Sequence, residues 1–291
     1  MEKLLTTKDL AHAIGASESS LRRWTDSGVI KTARTAGGHR RIPLSEAIRY
    51  IRDTGAAVLH PAVLGLPEMP AIAGASANEN PIQEQFYDAL VAGDAAKARG
   101  QIIALYLSGM SIAAIADGPI RLAMERLGPG YKHDPANILV EHRATDICVQ
   151  TVSLLRQLLP PAAGNAPVAI GAAPAGDPYI VPSAVAAAAA AEAGWREINF
   201  GPNTPLNLLA EAAAKHHAQL VWLSISLEPS PAMIKGFKAL AGALAKMKVP
   251  LAIGGRGAAQ LSAPRAANVH VLKTMAEFSA LARGALQKTP A

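Results

Sequence analysis

The regular alternation of short apolar segments with helical segments between residues 166 and 287 is the feature that most constrains the fold. The predicted strands are Val168–Ala172, Glu197–Phe200, Leu220–Ser226, Pro250–Gly254 and His270–Leu272. The predicted helices between and after them are Ser183–Ala193, which Ser183 is predicted to cap, Pro205–His217, Pro231–Met247 and Thr274–Gln287. This alternation predicts a doubly wound parallel sheet, and such sheets bind ligands at the carboxyl ends of their strands.

The rest of the chain divides by composition. Residues 1–54 contain predicted short helices separated by turns, whereas residues 55–80 contain three prolines and no Lys or Arg, which is typical of a linker. Residues 81–162 have helical periodicity with few turn signals, and the strand–helix alternation occupies residues 163–291. The chain is therefore predicted to be an α/β multi-domain protein.

Positive charge is concentrated near the N-terminus. Residues 1–60 carry ten Lys or Arg and six Asp or Glu, which is +4 of the formal net charge of +6. A basic terminal part on a nearly neutral body suggests binding to nucleic acid. The single cysteine fits a reducing compartment, and we find neither an apolar run long enough for a membrane helix nor a signal peptide. We therefore expect a soluble, cytoplasmic protein with no membrane partner.

The N-terminal residues have the spacing of a helix-turn-helix. Thr6-Thr7-Lys8-Asp9 can cap a first helix that Gly15 ends, and Ser17 can cap a second helix over Glu18–Ser27. A helix with hydroxyl and guanidinium groups near its N-terminus suits the major groove of DNA. The residues of this helix that we predict to contact DNA are Ser19, Ser20, Arg22 and Arg23.

A basic, glycine-containing segment follows the two helices. Gly37 and Gly38 allow a tight hairpin, and a third helix is predicted over Pro43–Arg52. Basic residues flank the hairpin tip, so the hairpin is suited to contact the DNA backbone or minor groove as a wing. The wing residues that we predict to contact DNA are Arg34, Thr35, Gly38, His39, Arg40 and Arg41.

Four segments of this N-terminal part resemble the MerR-type winged helix-turn-helix. They occur in the family's order over about residues 4–53, and they are Thr7-Lys8-Asp9-Leu10-Ala11, Ser20-Leu21-Arg22-Arg23-Trp24, Gly28-Val29-Ile30 and Gly37-Gly38-His39-Arg40-Arg41. The resemblance implies binding to double-stranded operator DNA.

Spacings in the second half resemble a cobalamin-binding module, which consists of a four-helix cap bundle followed by a flavodoxin-like domain. The segments are Tyr131 with Glu141-His142, Gly176-Asp177-Pro178-Tyr179-Ile180, Gly194-Trp195, Gly201-Pro202-Asn203-Thr204-Pro205, Leu223-Ser224-Ile225-Ser226 and Gly254-Gly255-Arg256. Together with the N-terminal part, the chain resembles the MerR-type, cobalamin-dependent light-sensing repressors of the CarH/LitR group. The implied domains are a winged helix-turn-helix over 1–54, a linker over 55–80, a helical cap bundle over 81–162 and a cobalamin-binding-like, flavodoxin-like domain over 163–291.

The resemblance also implies a set of site residues. In that family adenosylcobalamin lies between the cap and the strand ends, with an Asp-x-His motif supplying the lower axial ligand of cobalt. A Glu-His pair covers the adenosyl group, and a serine on the third strand and a Gly-Gly after the fourth hold the buried nucleotide tail. The cofactor-binding residues implied for this chain are Tyr131, Glu141, His142, Asp177, Tyr179, Ser224, Ser226, Gly254 and Gly255.

Two positions depart from the family's pattern. Tyr179 stands where the family has the axial histidine, and Tyr131 stands where it has a tryptophan. A phenol has a pKa of about 10, whereas neutral imidazole is a good metal donor, so histidine ligation at this position is lost. The open alternatives are a corrinoid without a protein ligand, ferric haem with Tyr179 or His142 as the metal ligand, and a module that binds no ligand and serves assembly.

These observations predict a DNA-binding transcriptional regulator with a repressor role. A small winged module needs two or more copies on one DNA, so we expect a dimer or tetramer whose assembly the C-terminal half controls through a bound tetrapyrrole. In the resembling family light disperses the adenosylcobalamin-bound tetramer, so the resemblance implies a photoreceptor. A corrinoid-carrying enzyme is the competing class, and the lost histidine and the DNA-binding head argue against it. We therefore expect no enzymatic activity.

Overall fold

The structure is a computed structural model that describes residues 2–70, 79–128, 136–261 and 267–287. The chain forms two compact units, of which the first contains residues 1–111 and 118–160 and the second contains residues 112–117 and 161–291. The chain therefore enters the second unit at residue 112, returns at 118 and crosses again at 161. No helix among the described residues is long and apolar enough to span a lipid bilayer.

Three helices and a small sheet form the N-terminal part of the first unit. The helices are α1 (Thr7–Ile14), α2 (Glu18–Asp26) and α3 (Leu44–Thr54). The sheet is antiparallel, with β3 (Arg40–Pro43) in the middle between β1 (Leu4–Leu5) and β2 (Ala33–Arg34). The apolar side chains that point inward from these elements are completely or almost completely buried, among them Leu10, Leu21, Ile30, Ile42 and Ile48.

Local hydrogen bonds fix the start of α1 and the turn to α2. The Thr6 hydroxyl accepts a hydrogen bond from the Asp9 N–H at 3.0 Å, and the Asp9 carboxylate accepts one from the Thr6 N–H at 2.8 Å. This reciprocal capping box satisfies two of the N–H groups that a helix start leaves free. The predicted cap at Thr6-Thr7-Lys8-Asp9 and the predicted end of the helix at Gly15 are both confirmed.

Residues 55–70, in the first part of the predicted linker, pack against the N-terminal helices. A short helix, α4 (Pro61–Leu64), contacts α1, and the side chains of Leu64 and Leu66 are buried. The N–H groups of Leu59 and His60 both donate to the Ala13 carbonyl. Residues 71–78 of the predicted linker lie outside the described residues.

Four helices follow in the first unit. They are α5 (Glu79–Ala92), α6 (Ala95–Leu107), α8 (Arg121–Leu127) and α9 (Asn137–Leu158), while α7 (Ile112–Ile115) belongs to the second unit. Helices α5, α6 and α9 contact one another, and α8 contacts α5 and α9. Because α6 lies among its neighbours, all of its side chains from Ile102 to Leu107 are buried.

Helix α3 joins the N-terminal part to these helices. It packs against α6 and α9, and its Arg52 guanidinium lies 3.8 Å from the centre of the Tyr106 ring. The same guanidinium donates hydrogen bonds to the carbonyls of Tyr106 and Met110 at the end of α6. The helix-turn-helix residues and the α5–α9 region of the first unit therefore share one packed structure.

The second unit contains a five-stranded parallel sheet. Its strands are β4 (Val168–Ala172), β5 (Arg196–Asn199), β6 (Leu220–Ser224), β7 (Leu251–Gly254) and β8 (Val269–Val271), in the order β5-β4-β6-β7-β8. The helices are α10 (Val181–Glu192), α11 (Leu206–Lys215), α12 (Pro231–Lys246) and α13 (Met275–Gln287). This is the doubly wound, flavodoxin-type strand order, so the predicted parallel sheet is confirmed.

The two faces of this sheet carry side chains of different size. One face presents the large aliphatic residues of β4, β6 and β7 to α11 and α12, including Ile170, Val221, Leu223 and Ile253. Successive strand residues point to opposite faces, so Gly171, Trp222 and Ala252 lie on the other face, towards α10 and α13. Five consecutive alanines of α10, Ala186–Ala190, are buried on that side. Small residues thus leave room on this face for large aromatic rings.

Two carboxylates connect residues 112–117, which include α7, to the helices of the second unit. Glu192 at the end of α10 accepts hydrogen bonds from the Ile112 N–H, at 3.0 and 3.2 Å to its two oxygens. Asp117 accepts from the N–H groups of Met275 and Ala276 at 2.8 and 2.9 Å, which caps the start of α13. Carboxylates are favourable at a helix N-terminus because its N–H groups are unpaired and its dipole is positive there.

Candidate functional site

Helix α2 presents a polar and basic face to solvent. The Ser17 hydroxyl caps the helix by accepting from the Ser20 N–H at 3.1 Å. Ser19, the second residue of the helix, is exposed. Arg22 and Arg23 follow and are both exposed. The sequence placed these residues on the outward face, and the structure puts all of them there or, for Ser20, at the partly buried edge of that face.

The hairpin that follows brings the remaining predicted DNA contacts to one tip. The Thr35 N–H donates to the His39 carbonyl at 3.0 Å, and the Gly38 N–H donates to the Thr35 carbonyl at 2.8 Å. Gly38 has a φ of +78°, a conformation that favours glycine, which is why the tight turn needs it. Arg34, His39 and Arg40 are exposed and Arg41 is half-buried.

Two of these arginines form ion pairs with carboxylates of α2. Arg22 pairs with Glu18 at 2.8 Å, and Arg40 of the hairpin pairs with Asp26 at the end of α2 at 2.5 Å. The four side chains are between 44% and 69% exposed, so each pair contributes little to stability. The second pair places the hairpin next to α2, and both guanidinium groups line a groove between the helix and the hairpin.

A buried carboxylate supports this surface from behind. Glu46 of α3 accepts hydrogen bonds from the Lys31 N–H at 2.7 Å and from the Arg49 guanidinium at 2.6 and 2.8 Å. Burial alone raises the pKa of Glu46, but the hydrogen bonds from Arg49 and Lys31 outweigh that effect, and the pKa is lowered overall. The ionised Glu46 therefore ties the segment after α2 to α3.

The carboxyl edge of the sheet in the second unit is organised by Asp177, which is completely buried in the loop after β4. One carboxylate oxygen accepts from the Ser226 N–H at 2.6 Å, and the other accepts from the Tyr179 N–H at 3.1 Å. The Asp177 carbonyl accepts from the Asn203 N–H at 3.1 Å. Asp177 thus links the loops that follow β4, β5 and β6.

Tyr179 lies beside Asp177 and faces solvent. Its side chain is 36% exposed, and the Arg256 guanidinium lies 5.8 Å from the centre of its ring. Arg256 follows β7, so these two side chains come from loops on neighbouring parts of the same edge.

A hydrogen-bonded chain crosses the face of the sheet below this edge. The Trp222 indole N–H donates to the Ser183 hydroxyl at 3.1 Å, and that hydroxyl donates to the Asn199 side-chain oxygen at 2.8 Å. The same Asn199 oxygen accepts from the Gly201 N–H at 3.0 Å. Pro182 lies in the first turn of α10, so the helix begins before Ser183, and Ser183 is part of this chain rather than the predicted cap.

The predicted serine and glycine residues occupy the ends of β6 and β7. Ser224 and Gly254 are paired across these two strands, and the Ile225 N–H donates to the Gly254 carbonyl at 2.8 Å. A Cβ at Gly255 would overlap the Ile225 carbonyl, and a Cβ at Gly257 would overlap the Leu227 carbonyl. These glycines therefore permit the two loops to pack directly against each other.

The predicted residues of the cap lie in the first unit. On α9, Glu141 is half-buried and His142 is exposed. Tyr131 lies outside the described residues. Within the part of the chain that the structure describes, no three His, Cys, Asp or Glu side chains form a group that could hold a metal ion.

Four residues at the edge and on the sheet face below it are not among the predicted site residues, namely Ser183, Asn199, Trp222 and Arg256. The sequence predicts Ser183 only as a helix cap and Trp222 only as part of a strand. The sequence does contain a sign of the role of Trp222, because a large indole in a strand of aliphatic residues needs a small residue beside it. That small residue is Gly171, which is paired with Trp222 on the neighbouring strand.

Comparison with known proteins identifies the N-terminal part. A family model described as a helix-turn-helix domain matches residues 4–54. Its range coincides with the helices α1 to α3 and the small sheet, and it shows that the chain contains a helix-turn-helix DNA-binding domain. A comparison with curated proteins found no match.

Comparison with solved structures finds similar proteins over about three quarters of the chain or slightly less. The monomethylamine corrinoid protein of Methanosarcina barkeri is similar, with a TM-score of 0.51 and 18% identity over 71% of this chain and 99% of that chain. The methanol:cobalamin methyltransferase complex of the same organism gives a TM-score of 0.37 at 13% identity, covering 76% of this chain and 87% of that chain. A cobalamin-binding protein of Desulfitobacterium hafniense gives a TM-score of 0.34 at 14% identity, covering 70% of this chain and 98% of that chain. The first likeness establishes a shared fold.

The residues at the sheet edge do not fit a corrinoid held from below by the protein. Tyr179, which the resemblance places at the axial-ligand position, carries a phenol, and a phenol is a poorer metal donor than an imidazole. Both oxygens of Asp177 are already hydrogen-bonded to main-chain N–H groups. Gly255 is packed against the chain's own Ile225 carbonyl. The fold of a corrinoid protein is present, but the Asp177 carboxylate and Gly255 make their contacts within the chain.

Proposed function

We propose that the protein is a DNA-binding transcriptional regulator. The observation that carries this proposal is the helix-turn-helix domain of residues 4–54, in which α2 and the hairpin present exposed arginines side by side. Arg22 and Arg23 lie on the capped helix, and Arg34 and Arg40 lie on the hairpin. Guanidinium groups make bidentate contacts with phosphates and with guanine edges, so this surface suits duplex DNA.

Helix α2 is the element proposed to enter the major groove. Its N-terminal Ser19 and Ser20 and the following Arg22 can reach base edges or phosphates, as the N-terminal residues of a recognition helix do. The hairpin lies next to α2, held by the Arg40–Asp26 pair, and would follow the adjacent backbone. Both arginines would exchange their exposed carboxylate partners for phosphates, which costs little because exposed pairs are weak.

The proposal includes self-association and a repressor role. A single module of this size buries only about 600–1,000 Å² on DNA, which gives modest affinity. Two linked modules on neighbouring half-sites gain affinity from effective concentration without new contacts. We therefore propose a dimer or tetramer that blocks transcription when bound to an operator.

The second unit is proposed to act as a non-enzymatic module. A light response through adenosylcobalamin requires a corrinoid at the sheet edge, and the residues present there do not fit one held from below, so the proposal includes no such step. Haem ligation by Tyr179 stays a prediction from the sequence.

The test is the salt dependence of DNA affinity for the full chain. Arg22→Ala and Arg40→Ala are each expected to weaken binding to a random-sequence duplex several-fold and to lower the slope of log affinity against log salt by about one. Fluorescence anisotropy across a potassium chloride series measures both quantities.

Arg126→Ala is the matched control. Arg126 also belongs to the first unit and is exposed and paired with a glutamate, Glu84, at 2.8 Å, so it should leave affinity and slope unchanged. Equal affinity and slope for wild type, Arg22→Ala and Arg40→Ala would show that the surface of α2 and the hairpin does not bind DNA.

A further inference from the structure

The buried Trp222 occupies a specific place in the second unit. It lies on β6, two residues before Ser224, so both side chains point to the face of the sheet that α10 and α13 cover. Its ring lies directly over Gly171 of β4, where a Cβ would overlap the indole. It also makes an edge-on contact with Phe278 of α13 at 6.4 Å. The indole therefore fills the layer between the sheet and these helices.

The shape of this side chain matches one part of a corrinoid. Cobalamin ends in a nucleotide tail whose base is a benzimidazole, a fused six- and five-membered aromatic ring system like that of indole. The resemblance described above implies that the tail lies beside the serine of the third strand and the following Gly-Gly. In this chain Ser224 and Gly254 are those residues, and the space next to them on the same face contains the indole of Trp222.

The surrounding polar groups complete the closure. The indole N–H, which is the only polar atom of the ring, donates to Ser183, and Ser183 donates to Asn199. At the sheet edge, the Asp177 carboxylate accepts a hydrogen bond from the Ser226 N–H, two residues after the end of β6. Opening this space for a ligand would leave buried hydrogen-bonding groups without partners, which is costly.

We infer that the indole of Trp222 is a built-in substitute for the base of a nucleotide tail. The second unit keeps the fold of a corrinoid protein but closes the tail site with its own side chain, so no nucleotide tail inserts between the sheet and α10. This inference concerns the second unit alone and is independent of the DNA-binding proposal.

The first test compares two corrinoids with the full chain. Hydroxocobalamin carries the nucleotide tail and cobinamide lacks it, so equilibrium dialysis of each measures what the tail contributes. The expected result is that neither is retained, or that both bind with dissociation constants within threefold and cobalamin keeps its base-on absorption spectrum. A tenfold or greater preference for cobalamin with a base-off spectrum would overturn the inference.

The second test opens the proposed site. Trp222→Gly should create a preference for cobalamin over cobinamide of at least tenfold, while Trp195→Gly should not. Trp195 is the matched control because it is an equally buried tryptophan of the same unit, whose indole N–H donates to the Ala282 carbonyl on α13. Circular dichroism shows whether each variant is folded. If Trp222→Gly is not folded, Trp222→Leu is tested in its place. A folded variant at Trp222 without any preference for cobalamin would show that the indole does not occupy the tail site.

Discussion

Two buried polar side chains of the second unit make contacts that differ from the roles predicted for them. Asp177 is an aspartate at a position where the resemblance implies a role in metal ligation, yet both of its oxygens accept main-chain N–H groups. Ser183 has a hydroxyl suited to capping, yet it joins Trp222 to Asn199. In both cases the polar atom is satisfied within the chain, because a buried polar group without a partner is destabilising.

Cys148 offers a residue-scale prediction about reactivity. The thiol lies on α9 and is completely buried, and burial raises its pKa to about 12. Because the thiolate is the reactive form, the native protein should not react with Ellman's reagent at pH 8, whereas the urea-unfolded protein should react fully.

The reaction of Cys148 is measured at pH 8 by the absorbance of the nitrothiobenzoate thiolate that the reagent releases. One equivalent released within minutes from the folded chain would contradict the burial of Cys148 in solution. The single cysteine of the chain makes the assay unambiguous.

At the scale of the element, α1 depends on its capping box. Thr6→Ala removes the side-chain acceptor and should lower the local stability of α1 by about 1 kcal/mol, which is roughly a fivefold faster exchange of its amide hydrogens. Ser17→Ala is the matched control, because it removes the corresponding cap of α2 and should affect that helix instead. Hydrogen-exchange mass spectrometry of the full chain distinguishes the two helices.

The same capping box predicts a dependence on pH. Hydrogen bonds from the Thr6 N–H and from the Thr6 side chain lower the pKa of Asp9 below its ordinary value of 3.8. Because the folded pKa is the lower one, the stabilisation is complete above the ordinary value and is lost as the pH falls through the folded value. Protection of α1 should therefore decrease below about pH 4, and Asp9→Asn should remove that decrease. Equal pH profiles for wild type and Asp9→Asn would contradict this assignment.

At the scale of the whole molecule, the main feature of the first unit is the packing of the DNA-binding part on the following helices. Arg52 donates to carbonyls at the end of α6 and stacks on Tyr106. Charged hydrogen bonds of this kind contribute about 1.5–3 kcal/mol, so Arg52→Ala should raise amide exchange across residues 1–54 about tenfold or more. A separate helix-turn-helix joined only by a flexible segment would show no such change.

Arg99→Ala is the control for this prediction. Arg99 lies on α6, as Tyr106 does, but it is half-buried and donates to Gln150 on α9 at 2.9 Å. Its removal should leave exchange in residues 1–54 unchanged. If Arg52→Ala and Arg99→Ala give the same exchange pattern, α3 is not anchored by Arg52.

The sequence by itself determined the features that depend on neighbouring residues. The alternation of apolar segments and helices predicted the parallel sheet, with strands within a few residues of their observed bounds. The caps at Thr6 and Ser17 and the turn at Gly38 predicted the helices and hairpin that present Arg22 and Arg40. These features are local, since they depend on backbone conformation and on periodicity over one element.

Only the tertiary structure decided which polar groups meet. Trp222 lies over Gly171 and bonds to Ser183, which is 39 residues away in the chain, and Asp177 bonds to Ser226, which is 49 residues away. Sequence shows the type of each side chain but not its partner, because the partner depends on strand register and on which face each residue points to. The same residues could hold a ligand or one another, and close packing on the α10 face of the sheet selects the second arrangement.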